Sequence, residues 1–533
     1  MMAQFRKWLI LSHRYLGLGL GLLFVVWFAS GIGMIYARGM PSLTDELRLE
    51  RLAPLDLGSV QVTPLEASEQ AGFGNALGRV TLLMVMDRPA YRLGGRGTAT
   101  VFADTGELMP EVGPDAAREV ASHFMDLPLE RVRHERLLTQ ADQWTVSDRG
   151  QLPLHKLSID DERGTQLYVS PESGEVTLLT TRASRALAWV SAIPHWLYFT
   201  WLRDNPNLWT QTVIWVAVLG CVLAILGITL GITQFKFSRP FRWSRIRSYI
   251  PYAGWMRWHY ISGLVFGVLA LTWVFSGLLS MEPFGWASGE GLGTGELRRE
   301  LVGGPLDVSA FPAIDVEAWD AVLPDRSIKE ITYTRILGDP YFTVWSTPAD
   351  PGGDMTSDAV AGGSYTRPGA GGRALVSAET LEVRREPFTV ARLMDVVGEI
   401  YPDVPIVEAG LLEEYDSYHY SRDLLAPLPV LRLKFDDPNQ TWLYIDPASG
   451  QLSTSVHRLG RIERWLYHGF HSLDFAFWYY SGPVWEIAVI VLSLGGLATS
   501  TIGLYVGIRR LWRGRKSVFR SGRTSSQTAG TPS

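Results

Sequence analysis

Long apolar stretches alternate with long polar stretches along this chain. Four apolar stretches lie at residues 1–38, 208–235, 254–281 and 484–508. Each holds about 20 mostly apolar residues, which is the length of a helix that crosses a bilayer. The pattern therefore predicts four membrane-spanning helices. The first stretch is longer than a signal-peptide core and no small-residue cleavage site follows it, so we expect it to serve as an anchor.

The polar stretches at 39–181 and 282–456 have the patterns of α+β domains. Within them, residues 152–176 and 428–452 each have the pattern of two antiparallel strands joined by a polar turn. Upstream of each strand pair, apolar residues recur at spacings of three and four, which predicts a helix. The fold class that follows is a membrane protein with an α-helical four-span bundle and two α+β domains outside the membrane.

Two aromatic segments and one insertion connect these elements. The segments 182–207 and 457–483 mix aromatic residues with a few charges and precede the second and fourth spans. Trp and Tyr favour the headgroup level, so both segments are predicted to lie at the membrane interface. Residues 347–372 are rich in Gly and Pro and are predicted to form a flexible insertion in the second polar stretch.

The placement of charge predicts the orientation in the membrane. The first apolar stretch, the loop 236–253 and the tail 509–533 contain basic residues and no acidic residue. Basic short loops face the cytoplasm, so both termini are predicted to be cytoplasmic and both α+β domains extracytoplasmic. The net charge of −5 averages over these regions. Topology accounts for the basic segments, and we expect membrane lipid but no nucleic acid as a partner.

The chain carries an internal two-fold repeat. A shift of 246 residues places 11–31 on 257–277 and matches His13 with His259. Later in the chain, a shift of 276 residues places 165–174 on 441–450. The later shift matches Trp189 with Trp465, His195 with His471, Trp209 with Trp485, Gly227 with Gly503 and Gly231 with Gly507. Each half therefore supplies two histidines at corresponding places, and ligating side chains in membrane segments are functional candidates.

Cys221, in the second span, is the single cysteine. The sequence therefore has no CxxCH motif for covalent haem, no cysteine-ligated iron–sulfur cluster and no thiolate zinc site. It also has no Gly-rich nucleotide loop, so no flavin or nicotinamide site is visible. A metal or redox cofactor would have to be held by His, carboxylate or Met side chains.

Four of the ten histidines occupy two levels of the predicted bundle. His13 and His259 lie about one helical turn inside the cytoplasmic ends of the first and third spans. A Ser-Gly pair follows seventeen residues later in each span, about 25 Å away at 1.5 Å per residue. These pairs are expected at the outer level with His195 and His471, where small residues leave room for a flat cofactor.

Two histidines at each of two levels match the needs of two b-type haems. Haem iron takes two axial ligands, and imidazoles from facing helices can supply both. We assign His13 and His259 to an inner haem and His195 and His471 to an outer haem, as axial ligands of the iron. His468 is the reserve for His471, because residues three apart share a helix face, although the repeat favours His471. The alternative is that these histidines merely meet headgroups or backbone carbonyls at helix ends.

Two acidic features have both a structural and a functional interpretation. The segment 411–422 could bind a cation or a ferric substrate through Asp416 and Glu414, or it could form a solvated strand edge. Asp474, before the fourth span, could carry protons or pair with an arginine. The sequence leaves these alternatives open.

Several motifs occur in order along the chain: YVSPESG at 168–174, EYDSYHYSR, LPVLRLKFDD, YIDPASG at 444–450 and RWLYHGFHSLDF. Together they resemble the PepSY-associated transmembrane family, and the resemblance covers nearly the whole chain. It implies a bacterial inner-membrane protein in which 39–181 and 282–456 are periplasmic PepSY-like domains. Some members of the family resemble ferric-siderophore reductases with two histidine-held haems. The histidines that match by motif are His13, His195, His259 and His471.

The resemblance and the histidines together predict a di-haem electron-transfer protein. Electrons would pass from a cytoplasmic reductase or quinol to a periplasmic acceptor, for which a ferric siderophore or other ferric chelate is the leading candidate. The chain would then be a transmembrane ferric-chelate reductase. A second hypothesis is a membrane-anchored PepSY module that acts on a periplasmic peptidase or envelope component without redox chemistry. A third is a protein that binds or transports copper or iron directly through the same histidines.

Overall fold

Two units make up the computed structural model of the chain. The first comprises Met1–Met40, Ala186–Ala287 and Ile462–Ser533, and the second comprises Pro41–Arg185 and Ser288–Arg461. The structure describes all residues except Met1, Arg38, 95–96, 236–248, 288–290, Asp325, 349–371, 422–425, Ala476, 478–482 and 525–533. Most of the predicted loop 236–253 and of the predicted insertion 347–372 lies outside the described residues.

Four long helices form the core of the first unit. They are α1 (Met2–Ala37), α8 (Pro206–Gln234), α9 (Gly254–Leu279) and α15 (Pro483–Thr524). Each contains a window with a mean hydropathy of 2.0 or more. The prediction of four helices long and apolar enough to cross a membrane is therefore confirmed. The last helix continues to Thr524, into the segment 509–533 that we expected to be a tail.

The four helices pack side by side. α1 packs against α8 and α15, and α9 packs against the same two helices, so α1 and α9 lie opposite each other. Phe24, Phe28 and Leu223 are among the buried residues between them. Glycine allows close approach here, because a Cβ atom at Gly496 would overlap the Phe28 ring.

Short helices precede α8 and α15. Before α8 come α5 (Arg182–Val190), α6 (Ala192–Trp196) and α7 (Thr200–Arg203). Before α15 come α13 (Arg458–Arg464), a π-helical turn (Trp465–Gly469) and α14 (Phe470–Ser472). α8 then begins at Pro206, where the Asn205 side chain accepts a hydrogen bond from the Leu208 N–H.

Strands from both polar stretches share one sheet of the second unit. These strands are β2 (Arg79–Val85), β3 (Arg88–Gly94), β4 (Thr98–Phe102), β10 (Arg326–Ile336), β11 (Asp339–Pro348) and β12 (Gly372–Ser377). The sheet is antiparallel and has the order β12-β11-β10-β2-β3-β4. We expected two separate α+β domains. The pairing of β2 with β10, with Leu82 opposite Ile331, instead satisfies two strand edges that each half would leave unpaired.

Each polar stretch also has a four-stranded antiparallel sheet of its own. One contains β5 (Val132–Leu138), β6 (Leu154–Ile159), β7 (Gln166–Val169) and β8 (Val176–Thr180) in that order. The other contains β13 (Ile406–Leu412), β14 (Val430–Phe435), β15 (Trp442–Asp446) and β16 (Gln451–Val456). The strand pairs predicted at 152–176 and 428–452 are therefore confirmed.

Helices cover these sheets. The two helices expected upstream of the strand pairs are α4 (Pro114–Met125) and α12 (Val390–Ile400), and Leu393 of α12 packs against Leu431 and Leu433 of the sheet. The other helices of the unit are α2 (Asp45–Arg51), α3 (Pro64–Gln70), α10 (Thr294–Val302) and α11 (Val316–Val322).

A short two-stranded pair joins β1 (Ala76–Leu77) to β9 (Leu306–Asp307). Short 3-10 turns lie at Leu57–Ser59, Leu129–Arg131, Arg149–Gln151, Pro283–Gly285 and Val308–Ala310.

Asp142 ties the connection between β5 and β6 to the first four-stranded sheet. Its carboxylate accepts hydrogen bonds of 2.9 Å from the Lys156 ammonium on β6 and from the Tyr168 hydroxyl on β7. Burial alone would raise the pKa of this carboxyl, but the hydrogen bond and the charge of Lys156 outweigh burial and hold the pKa below its usual value. Burial and the nearby carboxylate together raise the pKa of the Tyr168 hydroxyl.

Asp416 has the same role in the second four-stranded sheet. It accepts hydrogen bonds from Arg432 at 3.0 Å and from Tyr444 at 2.8 Å, and the backbone N–H groups of Tyr418 and His419 also donate to it. Burial would raise the pKa of Asp416, but these donors lower it below the usual value. The contacts favour the structural interpretation of the segment around Asp416, since its carboxylate already accepts four hydrogen bonds.

We expect Asp142→Asn to destabilise the sheet β5–β8 by about 3 kcal/mol at pH 7, because the buried Lys156 ammonium loses its nearest counter-charge. A carboxyl with a depressed folded-state pKa stabilises the fold above about pH 4, the pKa of an unfolded aspartate, and this stabilisation disappears as the pH falls through the folded-state pKa. The variant and the wild type should therefore differ at pH 7 and converge toward pH 3. Hydrogen exchange of the β6 and β7 amides in the full-length protein measures both effects, and equal protection at pH 7 would contradict the prediction.

Two pairs of histidines in the helical unit

The first pair of histidines lies between opposite helices. His13 is on α1 and His259 is on α9. The centroids of their rings are 6.3 Å apart, and the ring planes make an angle of 27°. The two residues that the repeat matches therefore meet across the four helices.

A backbone carbonyl fixes the position of the proton on each of these rings. His13 Nδ1 lies 3.2 Å from Leu223 O, and His259 Nδ1 lies 3.2 Å from Thr499 O. A carbonyl oxygen only accepts hydrogen bonds, so each Nδ1 carries the proton and donates it. The Nε2 atom of each neutral ring then keeps its lone pair, which is the form of imidazole that binds a metal.

Glycines make room for the rings beside these carbonyls. Gly227 and Gly503 lie four residues after Leu223 and Thr499, one helical turn further along α8 and α15. A Cβ atom at Gly227 would stand 2.8 Å from Cε1 of the His13 ring, and one at Gly503 would stand 2.7 Å from the corresponding atom of the other ring. Any larger residue at these two positions would displace the histidines.

The second pair lies on the short helices that precede α8 and α15. His195 is in α6 and His471 is in α14, and their ring centroids are 6.1 Å apart with an interplanar angle of 64°. Two residues after each histidine comes a leucine in the left-handed conformation, Leu197 with φ 54° and Leu473 with φ 55°. Non-glycine residues rarely adopt positive φ, and such backbone concentrates at functional sites.

A tryptophan from the next long helix holds each of these turns. Trp209 Nε1 donates to Trp196 O, and Trp485 Nε1 donates to Ser472 O, both at 2.9 Å. In both cases the accepting carbonyl belongs to the residue directly after the histidine. The first turns of α8 and α15 therefore fix the positions of the second pair.

Serine sets the proton position at the second pair. Ser30 Oγ donates to Trp27 O at 3.2 Å and lies 3.2 Å from His195 Nδ1. Because the single hydroxyl proton is used on the carbonyl, His195 Nδ1 must donate to Ser30. Ser276 likewise donates to a carbonyl at 3.0 Å and lies 3.0 Å from His471 Nδ1. All four rings are therefore protonated at Nδ1 and have a lone pair on Nε2.

The other histidines have local partners. The repeat favours His471 over His468, and His471 is the one that lies next to His195, whereas the His468 ring contacts Tyr467 at a centroid distance of 4.8 Å. In the second unit, His123 pairs with Asp87 at 3.0 Å, and His134 and His155 are hydrogen-bonded to each other at 2.9 Å.

A buried ion pair closes the segment that carries His471. Arg464 donates to Asp474 Oδ1 at 2.8 Å and to Asp474 O at 3.0 Å, and the two side chains are only 10% and 4% exposed. The π-helical turn and His471 lie between the two partners, and π-helical turns are frequent at functional sites. Of the two alternatives for Asp474, the structure therefore places it in a pair with an arginine.

A cavity of about 230 Å³ adjoins the first pair of histidines. It lies among α1, α8, α9 and α15, and both His13 and His259 line it. Nine glycines are part of the lining: Gly17, Gly21, Gly227, Gly231, Gly263, Gly267, Gly496, Gly503 and Gly507. A Cβ atom at Gly263 would meet nothing within 4 Å, so the cavity is open beside this glycine. At Gly231, Gly496 and Gly507 a leucine or phenylalanine side chain lies against the glycine instead.

Each pair of histidines offers two nitrogen ligands. Two ligands are too few for a bare zinc ion, which takes at least three from a protein. They are sufficient for an iron whose other positions are filled by a porphyrin. Among the residues that the structure describes, no group of three or more His, Cys, Asp or Glu is placed to hold a metal ion.

The four rings could be identified from the sequence, but their hydrogen-bond acceptors could not. Leu223 and Thr499 occupy corresponding places in the repeat but differ in residue type, so matching by identity does not reveal them. Gly227 and Gly503 do match in the repeat, and this match was the sequence signal for the places where the His13 and His259 rings approach a helix.

The fold and the site define a protein with four apolar helices, an α+β unit and two facing pairs of histidines. No protein-family model matches the chain, and no curated protein matches it either. The resemblance to the PepSY-associated transmembrane family therefore stays a prediction, and the function is argued from the residues of the site.

We expect Asp474→Asn to loosen the segment that carries His471, because the buried Arg464 guanidinium loses the charge of the Asp474 carboxylate that it contacts, at a cost of about 3 kcal/mol. Hydrogen exchange of residues 465–475 in the full-length protein should become faster. Asp142→Asn, which removes the counter-charge of a buried cation in the other unit, is the matched control and should leave the exchange of residues 465–475 unchanged. Identical exchange in the Asp474→Asn and control proteins would count against this role of the ion pair.

Proposed function

We propose that the protein holds two b-type haems, one between each pair of histidines, and transfers electrons across a membrane. The observation that carries the proposal is the state of the four rings. At two places in the helical unit, two imidazoles lie about 6 Å apart with their Nδ1 protons already bound. Each imidazole therefore has only Nε2 left to offer.

The ring separations support one metal atom between the rings of each pair. Metal–imidazole bonds of about 2.0 Å, with about 1.1 Å from each nitrogen to its ring centroid, give a centroid separation of about 6.2 Å across one metal atom. The observed separations are 6.3 Å for His13 and His259 and 6.1 Å for His195 and His471. The two pairs thus fit the same kind of metal centre.

The surroundings of the first pair fit a porphyrin. His13 and His259 would hold the iron of the inner haem, and the glycine-lined cavity between the four helices would receive the ring. Gly227 and Gly503 keep the space that a Cβ atom would fill. Apolar walls suit the porphyrin face, and the low polarity of the cavity favours a tightly held cofactor.

The second pair would hold the outer haem through His195 and His471. Ser30 and Ser276 orient these rings, as hydrogen-bonding partners of metal-bound histidines commonly do. Bound haems would supply one-electron carriers at two depths of the membrane. With His13 and His259 holding one haem and His195 and His471 the other, neither iron would have a position left for a substrate, and the bound groups would supply electron transfer rather than oxygen chemistry.

Corresponding contacts in the two halves support the internal repeat. Leu197 and Leu473 have the same left-handed backbone, and Trp209 and Trp485 make the same hydrogen bond, each pair separated by the shift of 276 residues. A repeat of this kind gives each haem one ligand from each half. Each proposed haem site would therefore need both halves of the chain.

The basic segments and the family resemblance complete the proposal. The chain would lie in a bacterial inner membrane with cytoplasmic termini and periplasmic PepSY-like domains. A cytoplasmic reductase or quinol would supply electrons, and a ferric siderophore or other ferric chelate would accept them. Reduction releases the metal, because hard oxygen chelators hold Fe(III) more tightly than Fe(II).

Full-length protein produced with an adequate supply of haem should contain two b-type haems per chain. His13→Ala and His195→Ala should each remove about half of the haem, because they disrupt different pairs. The double variant should contain none. Haem content measured by the pyridine haemochrome assay, with dithionite-reduced spectra, tests these expectations, and His468→Ala should keep both haems.

Three results would decide between the hypotheses. Haem lost equally from His468→Ala and His13→Ala would refute the assignment of ligands. Protein without any cofactor would defeat the proposal and leave the anchored PepSY module as the explanation. Copper or iron bound without porphyrin, shown by elemental analysis, would favour the direct metal-binding protein.

We expect Gly227→Ala to lower the haem content of the inner site selectively, because the new Cβ atom would stand 2.8 Å from the His13 ring. Gly19→Ala is the matched control on α1, since no atom lies within 4 Å of a Cβ at Gly19. The outer haem should stay in both variants and serves as an internal reference for folding. Equal inner-haem content in the two variants would show that Gly227 is not needed for the ring to approach.

A further inference from the structure

Two cations interrupt the apolar lining of the cavity beside the first pair of histidines. Arg14, on α1, and Arg510, on α15, are the charged residues of the described lining, which contains no Asp or Glu. In the part of the chain that the structure describes, neither guanidinium has an ion-pair partner. Arg14 is half-buried, whereas Arg510 is exposed. The half-buried charge of Arg14 beside an apolar cavity is costly unless an anion meets it.

The two cations break the symmetry of the repeat. The shift of 246 residues matches Arg14 with Tyr260, and the shift of 276 matches Arg510 with Gln234. Both counterparts also line the cavity. Charge is therefore found on the side formed by α1 and α15, whereas the side formed by α8 and α9 has neutral polar groups at the same places.

The neutral groups on the α8 and α9 side are already hydrogen-bonded. Tyr260 donates its hydroxyl to Gly231 O at 2.5 Å, and Tyr252 donates to the Gln234 side-chain oxygen. The polar groups on this side of the cavity therefore already have hydrogen-bond partners within the protein. The α1 and α15 side instead presents ten guanidinium N–H donors, five from each arginine.

We propose that Arg14 and Arg510 bind the two propionate carboxylates of the inner haem, an inference that rests on the proposed function. Haem b is an apolar ring with both carboxylates on one edge, which matches a glycine-lined cavity with both cations on one side. Guanidinium–carboxylate hydrogen bonds are charge-assisted and directional. The repeat alone would accept the ring in two orientations, and the arginines select the one with its carboxylate edge toward α1 and α15.

The arginines should also affect the ease of reduction at the inner site. Reduction removes one positive charge from the iron centre, so nearby cations favour the reduced form and raise the midpoint potential. Loss of either guanidinium should therefore lower the midpoint potential of the inner haem. The two histidine ligands and the low-spin spectrum should stay unchanged.

The test uses the inner site by itself, in full-length protein that carries His195→Ala and His471→Ala. Haem and haem dimethyl ester, which lacks the carboxylates, are titrated into apo-protein in detergent. Arg14→Gln and Arg510→Gln should each weaken haem binding about tenfold, the effect of losing one charge-assisted bond. Neither change should weaken ester binding, and the double variant should bind haem and ester equally.

Arg509→Gln is the matched control, because Arg509 is adjacent to Arg510 and exposed like it but does not line the cavity. It should bind haem like the parent protein and still prefer haem to the ester. If Arg14→Gln and Arg510→Gln behave like this control, or weaken haem and ester equally, the inference is wrong while the two-haem proposal stands. If the parent protein binds neither haem nor ester, the proposed function itself fails.

Discussion

The hydrogen bond at Nδ1 of each paired histidine is the interaction on which the site depends. It decides which nitrogen carries the proton and which keeps a lone pair, and it fixes the ring against a helix. In each case a glycine lies four residues after the carbonyl beside the ring: Gly227 after Leu223, Gly503 after Thr499, Gly31 after Trp27 and Gly277 after Trp273. Because the residue one turn later normally crowds a helix carbonyl, glycine at that place lets an imidazole reach it. The same local solution therefore serves all four histidines.

Much of the site could be predicted from the sequence, because a membrane-spanning helix is recognised by its apolar length and a repeat by its matched residues. Apolar length gave the four helices, and the matched shifts of 246 and 276 residues selected His13, His195, His259 and His471 from ten histidines. The acceptors at Leu223 and the ion pair of Arg464 could not be found in this way. Backbone carbonyls have no sequence signature, and Arg464 has no counterpart in the other half, where Ala188 lies at the matching place.

The α+β unit shows why domain boundaries are harder to predict than strands. Alternating residues located the strand pairs around Tyr168 and Tyr444 within each half, since that pattern is local. The pairing of β2 with β10 joins residues about 250 positions apart, and nothing local distinguishes an edge strand that meets its own copy from one that meets solvent. The contacts of the half-buried carboxylates Asp142 and Asp416 could not be predicted either, because each depends on a cation and a phenol from two different strands.

Duplication and asymmetry have separate consequences in this protein. The duplicated residues, histidine, glycine and serine, build two equivalent pairs of facing histidines, and a symmetric cavity would suffice for a symmetric metal centre. A haem, however, has one charged edge, so a fully symmetric cavity would hold it in two orientations of equal energy. Arg14 and Arg510, opposite the neutral Tyr260 and Gln234, would remove that degeneracy. Substitutions that restore symmetry at these four places should therefore change the orientation and the potential of the proposed inner haem without touching its ligands.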